Sequence, residues 1–165
     1  MRTGRPERLR GFSYIGFHQY SLVFCTLNRS PIFTTHAIVD LARAQILRAA
    51  AKEAFDIIAY CFMPDHVHVV AGGASERSVL NAFVKLARQY SGYHHKRHVG
   101  TDLWQPYPYE HVLRGEESLA RTVRYILENP VRAGLVKDPR DYPFLGSGVY
   151  TLDQLLDFAY ERRPA

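Results

Sequence analysis

The sequence predicts an α+β domain: a four-stranded antiparallel sheet in split βαβ order, helices on one face, and a last helix closing over the other. Three observations predict it. Apolar, β-branched runs of strand length alternate with longer segments whose apolar residues recur every three to four positions. Two of the runs, 56–63 and 66–71, are separated only by Pro64-Asp65, the spacing of an antiparallel hairpin. The order along the chain is strand, helix, strand, strand, helix, strand, helix.

The first ten residues, Met1 to Arg10, are basic, and no long apolar segment follows. They read as a flexible basic arm over 1–12 rather than a leader peptide. The domain proper spans 13–150. Tyr20 to Leu27 is a buried strand, closed by Asn28-Arg29-Ser30-Pro31. Residues 36–54 set Ile38, Leu41, Ala42, Ile46 and Ala49 along one stripe among good helix formers, which predicts an amphipathic helix. After the hairpin, Gly72-Gly73-Ala74-Ser75 breaks the chain. Ser78 then opens a helix with Leu80, Phe83, Leu86, Ala87 and Tyr90 inward, expected to fray at Gly92 into the basic run Tyr93 to His98. Segment 103–113 is the fourth strand, its Pro106 and Pro108 marking an edge or bulge. The last firm helix is expected over 119–128, opened by Glu116-Glu117-Ser118 and stopped by Asn129-Pro130. Residues 151–165 form a C-terminal tail with a helical turn near 153–159.

A chain of 165 residues with 47% hydrophobic content builds one core. The net charge of +5 and pI near 9.3 permit an anionic partner. Tyrosines interleaved with Arg and Lys suit nucleic acid. Cys25 and Cys61 each lie in an apolar strand, so buried free thiols in a reducing cytoplasm are expected. No run approaches the ~18–20 apolar residues that span a bilayer.

The chemistry centres on Asp65-His66-Val67-His68. A strand alternates its side chains, so His66 and His68 share a face, and two imidazoles side by side are half of a metal site. Tyr125 and Asn129, four apart, share a face of the last helix. Laid over the histidine strand, that face would add an amide oxygen and a nucleophile. Such a nitrogen and oxygen set with open positions suits Mg²⁺ or Mn²⁺ better than a closed zinc site. The metal would polarise a phosphodiester while Tyr125 attacks phosphorus. A phenol of ordinary pKa, ~10, needs the metal or a neighbouring cation, Arg121 or Arg124. Asp65 and Glu128 are rival third ligands. Each signal has a plainer meaning: a hydrogen-bonded histidine pair, a core tyrosine, and a helix cap at Asn129. His94, His95 and His98 could form a second metal group.

Three stretches carry a resemblance. They are Tyr60 to His68; Leu103-Trp104-Gln105 with Tyr109-Glu110-His111-Val112-Leu113-Arg114; and Arg124 to Val136, reading RYILENPVRAGLV. Together they resemble the single-tyrosine HUH transposases, in particular the branch of REP-associated tyrosine transposases, over roughly residues 11–149. The resemblance implies a ferredoxin-like HUH fold, a bacterial, nucleoid-associated setting, and single-stranded DNA, often with hairpin-forming ends, as partner. It implies a divalent metal on His66 and His68, Tyr125 as nucleophile, Asn129 at the third ligand position, and a 5′-phosphotyrosine product with a free 3′-OH. It also implies a monomer or a homodimer, since relatives include both. One departure is local: Pro106-Tyr107-Pro108-Tyr109 stands where the family often has Gly-Tyr-Tyr.

Lys85, Arg88, Lys96, Arg97, Arg114, Arg121, Arg124 and Arg132 are the candidate DNA contacts, chiefly to phosphates, with solvated surface charge as the alternative for each. Two other functions fit parts of the pattern. One is a non-catalytic single-stranded nucleic-acid-binding module that stacks bases on its sheet. The other is a metal-dependent nuclease that activates water.

Overall fold

A computed structural model describes residues 8–161. Most of the arm expected over 1–12 therefore lies outside the described residues, as does the end of the tail. The elements are β1 (Gln19–Cys25), α1 (His36–Lys52), β2 (Phe55–Met63), β3 (His66–Gly73), α2 (Leu80–Val99), β4 (Tyr109–Leu113), α3 (Glu116–Arg132), β5 (Leu145–Gly146) and α4 (Leu152–Glu161).

The strands form one sheet in the order β4-β1-β3-β2-β5, with every pairing antiparallel. This is the split βαβ architecture predicted, with a fifth strand added. β5 is two residues long, paired to Tyr60 and Cys61; no period-2 pattern can register in so short a piece. β1, β2 and β3 are nearly continuous apolar runs because they are central and covered on both faces.

Alternation sorts their side chains. Tyr20, Leu22 and Phe24 of β1, with Val67, Val69 and Ala71 of β3, point toward α1 and α2 and are buried with Phe33, Ile46 and Phe83. Val23, Cys25, Cys61, Met63, His66 and His68 point the other way, because cross-strand partners share a face: Val23 and Cys61 flank His68, and Cys25 and Met63 flank His66. That second face carries α3, which packs on β2 and β3, with α4 against α3.

Three boundaries differ from expectation. α2 does not fray at Gly92. It continues to Val99, because Ser91 and His95 are buried and Gly100, at φ 92°, supplies the left-handed stop. The fourth strand begins at Tyr109 rather than 103, since Pro106 and Pro108 lack the N–H a ladder needs; Trp104 makes only an isolated bridge to Thr26. Trp104 is instead a core anchor, ringed by Phe24 and Phe33, its indole N–H donating to Ser91 Oγ at 2.9 Å. α3 is not stopped by Asn129-Pro130. It runs to Arg132 and ends at Gly134, φ 74°, whose N–H bonds the Val131 carbonyl. Pro130 removes one amide near the helix end, where the following turn recovers bonds from Ala133 to Asn129 and from Leu135 to Pro130. Asn129 is thus a helical residue, not a cap.

Candidate active site

β3 delivers the two histidines and fixes their spacing. Nε2 of His66 lies 3.1 Å from Nε2 of His68, with the rings edge to face at 80°. The turn before β3 supplies Asp65, whose Oδ1 sits 2.6 Å from His66 Nδ1. Asp65 Oδ2 accepts from Arg29 Nε at 2.9 Å. Burial pushes the Asp65 carboxyl up, but the hydrogen bonds from His66 and Arg29 outweigh it and hold the group below the usual carboxylate range. Arg29 reaches this position from a tight turn in which Asn28 and Arg29 both have positive φ.

His68 is 8% exposed. Burial, followed by the charges of His66, Arg132 and Arg29, pushes its imidazole down to about 3. It is therefore neutral in the folded protein at any physiological pH, which is the state that ligates metal. Beside it, burial pushes the Cys61 thiol up to about 12 against the pull of Arg132, so that thiol is inert as a nucleophile.

α3 delivers Tyr125. Leu119, Ala120, Val123, Ile126 and Leu127 form its buried stripe, and Thr122, Tyr125, Asn129 and Arg132 run alongside. The Tyr125 ring stands 6.0 Å from the His68 ring, edge to face at 82°, and is 54% exposed. The phenol is thus open to solvent, next to the histidines of its own chain. Its cationic neighbour is neither Arg121, which pairs with Glu117, nor Arg124, which pairs with Glu128. It is Arg132, whose guanidinium lies over the ring 3.9 Å from the centroid.

The donors fit a divalent cation in part. Cis ligands of an octahedral Mg²⁺ or Mn²⁺ at ~2.1 Å stand about 3 Å apart, which the paired Nε2 atoms match. Asp65 on the far nitrogen of His66 leaves its Nε2 as the free one, the usual arrangement behind a metal-bound histidine. The same contact removes Asp65 from contention as a ligand. Glu128, the other rival, is engaged by Arg124 and by the Tyr160 hydroxyl. Asn129 Nδ2 is buried with no hydrogen-bond partner among the described residues; this is a donor, with capacity for an outside acceptor and none for a cation. No cluster of three or more His, Cys, Asp or Glu side chains is placed to hold a metal among the described residues. A cation here would rest on the two converging imidazoles and on outside oxygens. His94, His95 and His98 do not converge: His95 is buried toward Thr101 while His94 and His98 stack on the surface.

The basic candidates fall into separate groups. Lys85 and Arg88 line a cavity of about 260 Å³ beside β4, and Arg114 lines another of about 360 Å³ with Tyr14 and His111. Arg88 is committed, holding the carbonyls of Gln105 and Pro106. Lys96 pairs with Asp102, and Arg97 packs on Tyr93 at the end of α2. Arg121, Arg124 and Arg132 belong to α3. Of these three, Arg132 is the one over the Tyr125 ring, and its charge also acts on His68.

The sequence left the ordering pair Arg29–Asp65 unread, since nothing in residue spacing links positions 36 apart. The Arg132 contact did have a signal, as positions 125 and 132 are two helical turns apart on one stripe.

Comparison with known proteins adds three findings. A family model described as transposase IS200 like matches residues 16–129, more than half of the chain. The REP-associated tyrosine transposase of Escherichia coli K12 is 27% identical over 141 residues, covering 79% of this chain and 82% of the relative. A solved REP-associated tyrosine transposase, bound to a REP hairpin, superposes with a TM-score of 0.71 at 24% identity, over 96% of this chain and 88% of that one.

Proposed function

This chain belongs to the IS200-like transposase family, and from that premise we propose that it cleaves and rejoins single-stranded DNA through a 5′-phosphotyrosine intermediate. The observation that carries the proposal is the meeting of Tyr125 with His68 at 6.0 Å, beside a histidine pair whose Nε2 atoms converge at 3.1 Å.

In the proposed step Tyr125 Oη attacks a backbone phosphorus. The Oη–P bond forms, the P–O3′ bond breaks, the phenol proton leaves to solvent, and the departing 3′-oxygen takes up a proton. The 5′-phosphate stays on Tyr125, and attack by a 3′-OH reverses the step and rejoins a strand. His66 and His68, with Asn129 on α3, would hold Mg²⁺ or Mn²⁺. The cation would supply Lewis-acid polarisation of the phosphodiester. Asp65 and Arg29 hold His66 in the tautomer that leaves Nε2 free. As with the solved relative, hairpin-flanked DNA is the substrate class to try first. Lys85 and Arg114 at the β4 edge are the candidates to track its phosphates.

The test is incubation with labelled single-stranded oligonucleotides, with and without flanking hairpins, plus Mn²⁺, resolved on a denaturing gel. A covalent protein–DNA band that vanishes in Tyr125→Phe supports the proposal. Cleavage that persists in Tyr125→Phe with no covalent band identifies a nuclease using water. Binding without any cleavage identifies a non-catalytic module.

A further inference from the structure

Arg132 does more in this structure than a surface phosphate contact would. Two turns beyond Tyr125 on the same stripe of α3, its side chain folds back toward the helix N-terminus. The guanidinium lies over the phenol ring, its central carbon 3.9 Å from the centroid. Nη2 donates to the Tyr125 carbonyl at 2.7 Å, and Nη1 stands 3.7 Å from Glu128 Oε2. Glu128 is fixed in turn by Arg124 Nε at 3.0 Å and by the Tyr160 hydroxyl of α4 at 2.9 Å. The cation is therefore anchored before it meets the ring.

An exposed tyrosine ordinarily samples several rotamers. Tyr125, half exposed, is held between an anchored cation and the ring of His68, which stands edge to face with it. Resting on the tyrosine-nucleophile function, we propose that Arg132 is the positioning residue of Tyr125. It keeps the phenol on the histidine side of α3, so that Oη meets a phosphate seated at the imidazole pair. Glu128 and Tyr160 set the guanidinium from behind, which makes α4 part of the support of the nucleophile. Two of Arg132's nitrogens are spent inside α3, so phosphate binding is not its primary task. Lysine cannot substitute fully, because one ammonium nitrogen does not replace two guanidinium nitrogens that contact the Tyr125 carbonyl and Glu128.

The test separates presentation of the phenol from DNA affinity. Arg132→Ala and Arg132→Met, checked for native melting, should lower the rate of covalent adduct formation at saturating oligonucleotide about 10- to 100-fold, the scale of a misplaced reacting atom. Arg132→Lys should fall between these and the wild type. Oligonucleotide affinity, measured without metal, and its salt dependence should hold. An unchanged saturated rate with weakened binding and a salt slope reduced by about 1 would instead make Arg132 a phosphate contact and overturn the proposal. A second readout is independent of activity. 3-Fluorotyrosine placed at position 125 should give a fluorine resonance that shifts and broadens in Arg132→Ala; an unmoved resonance overturns the contact. Should the wild type form no adduct with any oligonucleotide, the nucleophile function falls and this role with it. A fluorine signal that still moves distinguishes that result from a missing contact.

Discussion

Asp65 grips one nitrogen of His66 at 2.6 Å while the other faces His68 at 3.1 Å. The carboxylate, pinned by Arg29, decides which nitrogen carries the proton and which is free. Asp65→Asn keeps the shape and loses the charge, and an amide can support either tautomer. Mn²⁺ affinity, followed by titration calorimetry or by the metal dependence of adduct formation, is expected to weaken about 10- to 100-fold. The same Mn²⁺ dependence in both proteins would show that the carboxylate does not tune this site.

Tyr125→Phe removes one oxygen from a half-exposed ring. Since that ring supports little of the core, unfolding free energy should change by less than about 0.5 kcal/mol. Oligonucleotide affinity should hold while the covalent adduct disappears. An adduct that survives in this variant would place the nucleophile elsewhere.

Much of this architecture was legible in the sequence, for reasons that differ by element. β1, β2 and β3 announce themselves because central strands are apolar on both faces, and the Pro64-Asp65 turn fixes the hairpin. The shared face of His66 and His68 follows from strand alternation alone. The start of β4 is not legible because the aromatic run 103–109 has strand propensity, whereas proline chemistry at 106 and 108 governs pairing. The end of α3 is not legible because Asn129-Pro130 is a stop signal only when the chain does not recover its bonds beyond it, and here Gly134 provides the true stop. The Arg29–Asp65 contact depends on two positive-φ residues and a turn 36 positions away, which no local pattern encodes.

The buried, neutral His68 makes stability depend on pH. Its folded pKa, about 3, lies below the ordinary ~6.5 of an unfolded histidine, so below pH 6.5 the unfolded chain binds a proton that the folded one refuses. The stabilisation is full above pH 6.5 and is lost as pH falls toward 3. Between pH 6.5 and 5 the loss is up to about 2 kcal/mol. Burial lowers His95 as well, with the same sign, so the comparison must be internal. His68→Gln, unfolded by urea in EDTA at pH 7 and pH 5, should lose less stability on acidification than the wild type. Parallel losses in both proteins would show that His68 is not the group responsible.

A hydrogen bond ties α4 to α3 at the carboxylate of Glu128. Tyr160 donates to Glu128 Oε1 at 2.9 Å, and the Arg124 guanidinium stacks on the Tyr160 ring at 4.9 Å. Burial and the bond to Glu128 together hold the Tyr160 phenol above its ordinary pKa, as expected of a hydroxyl that donates to an anion. Tyr160→Phe keeps the ring and its stacking while deleting that donor. Glu128 is about one-third exposed, so water screens the contact, and the loss should be about 1 kcal/mol rather than the larger value of a sealed charged bond. Glu128→Ala removes the acceptor of the same bond from the other side. The double variant should therefore lose less than the two single losses added together. Strict additivity in urea unfolding would mean that the two side chains do not interact in solution, and that α4 is held by its apolar residues Leu155, Leu156 and Ala159 alone.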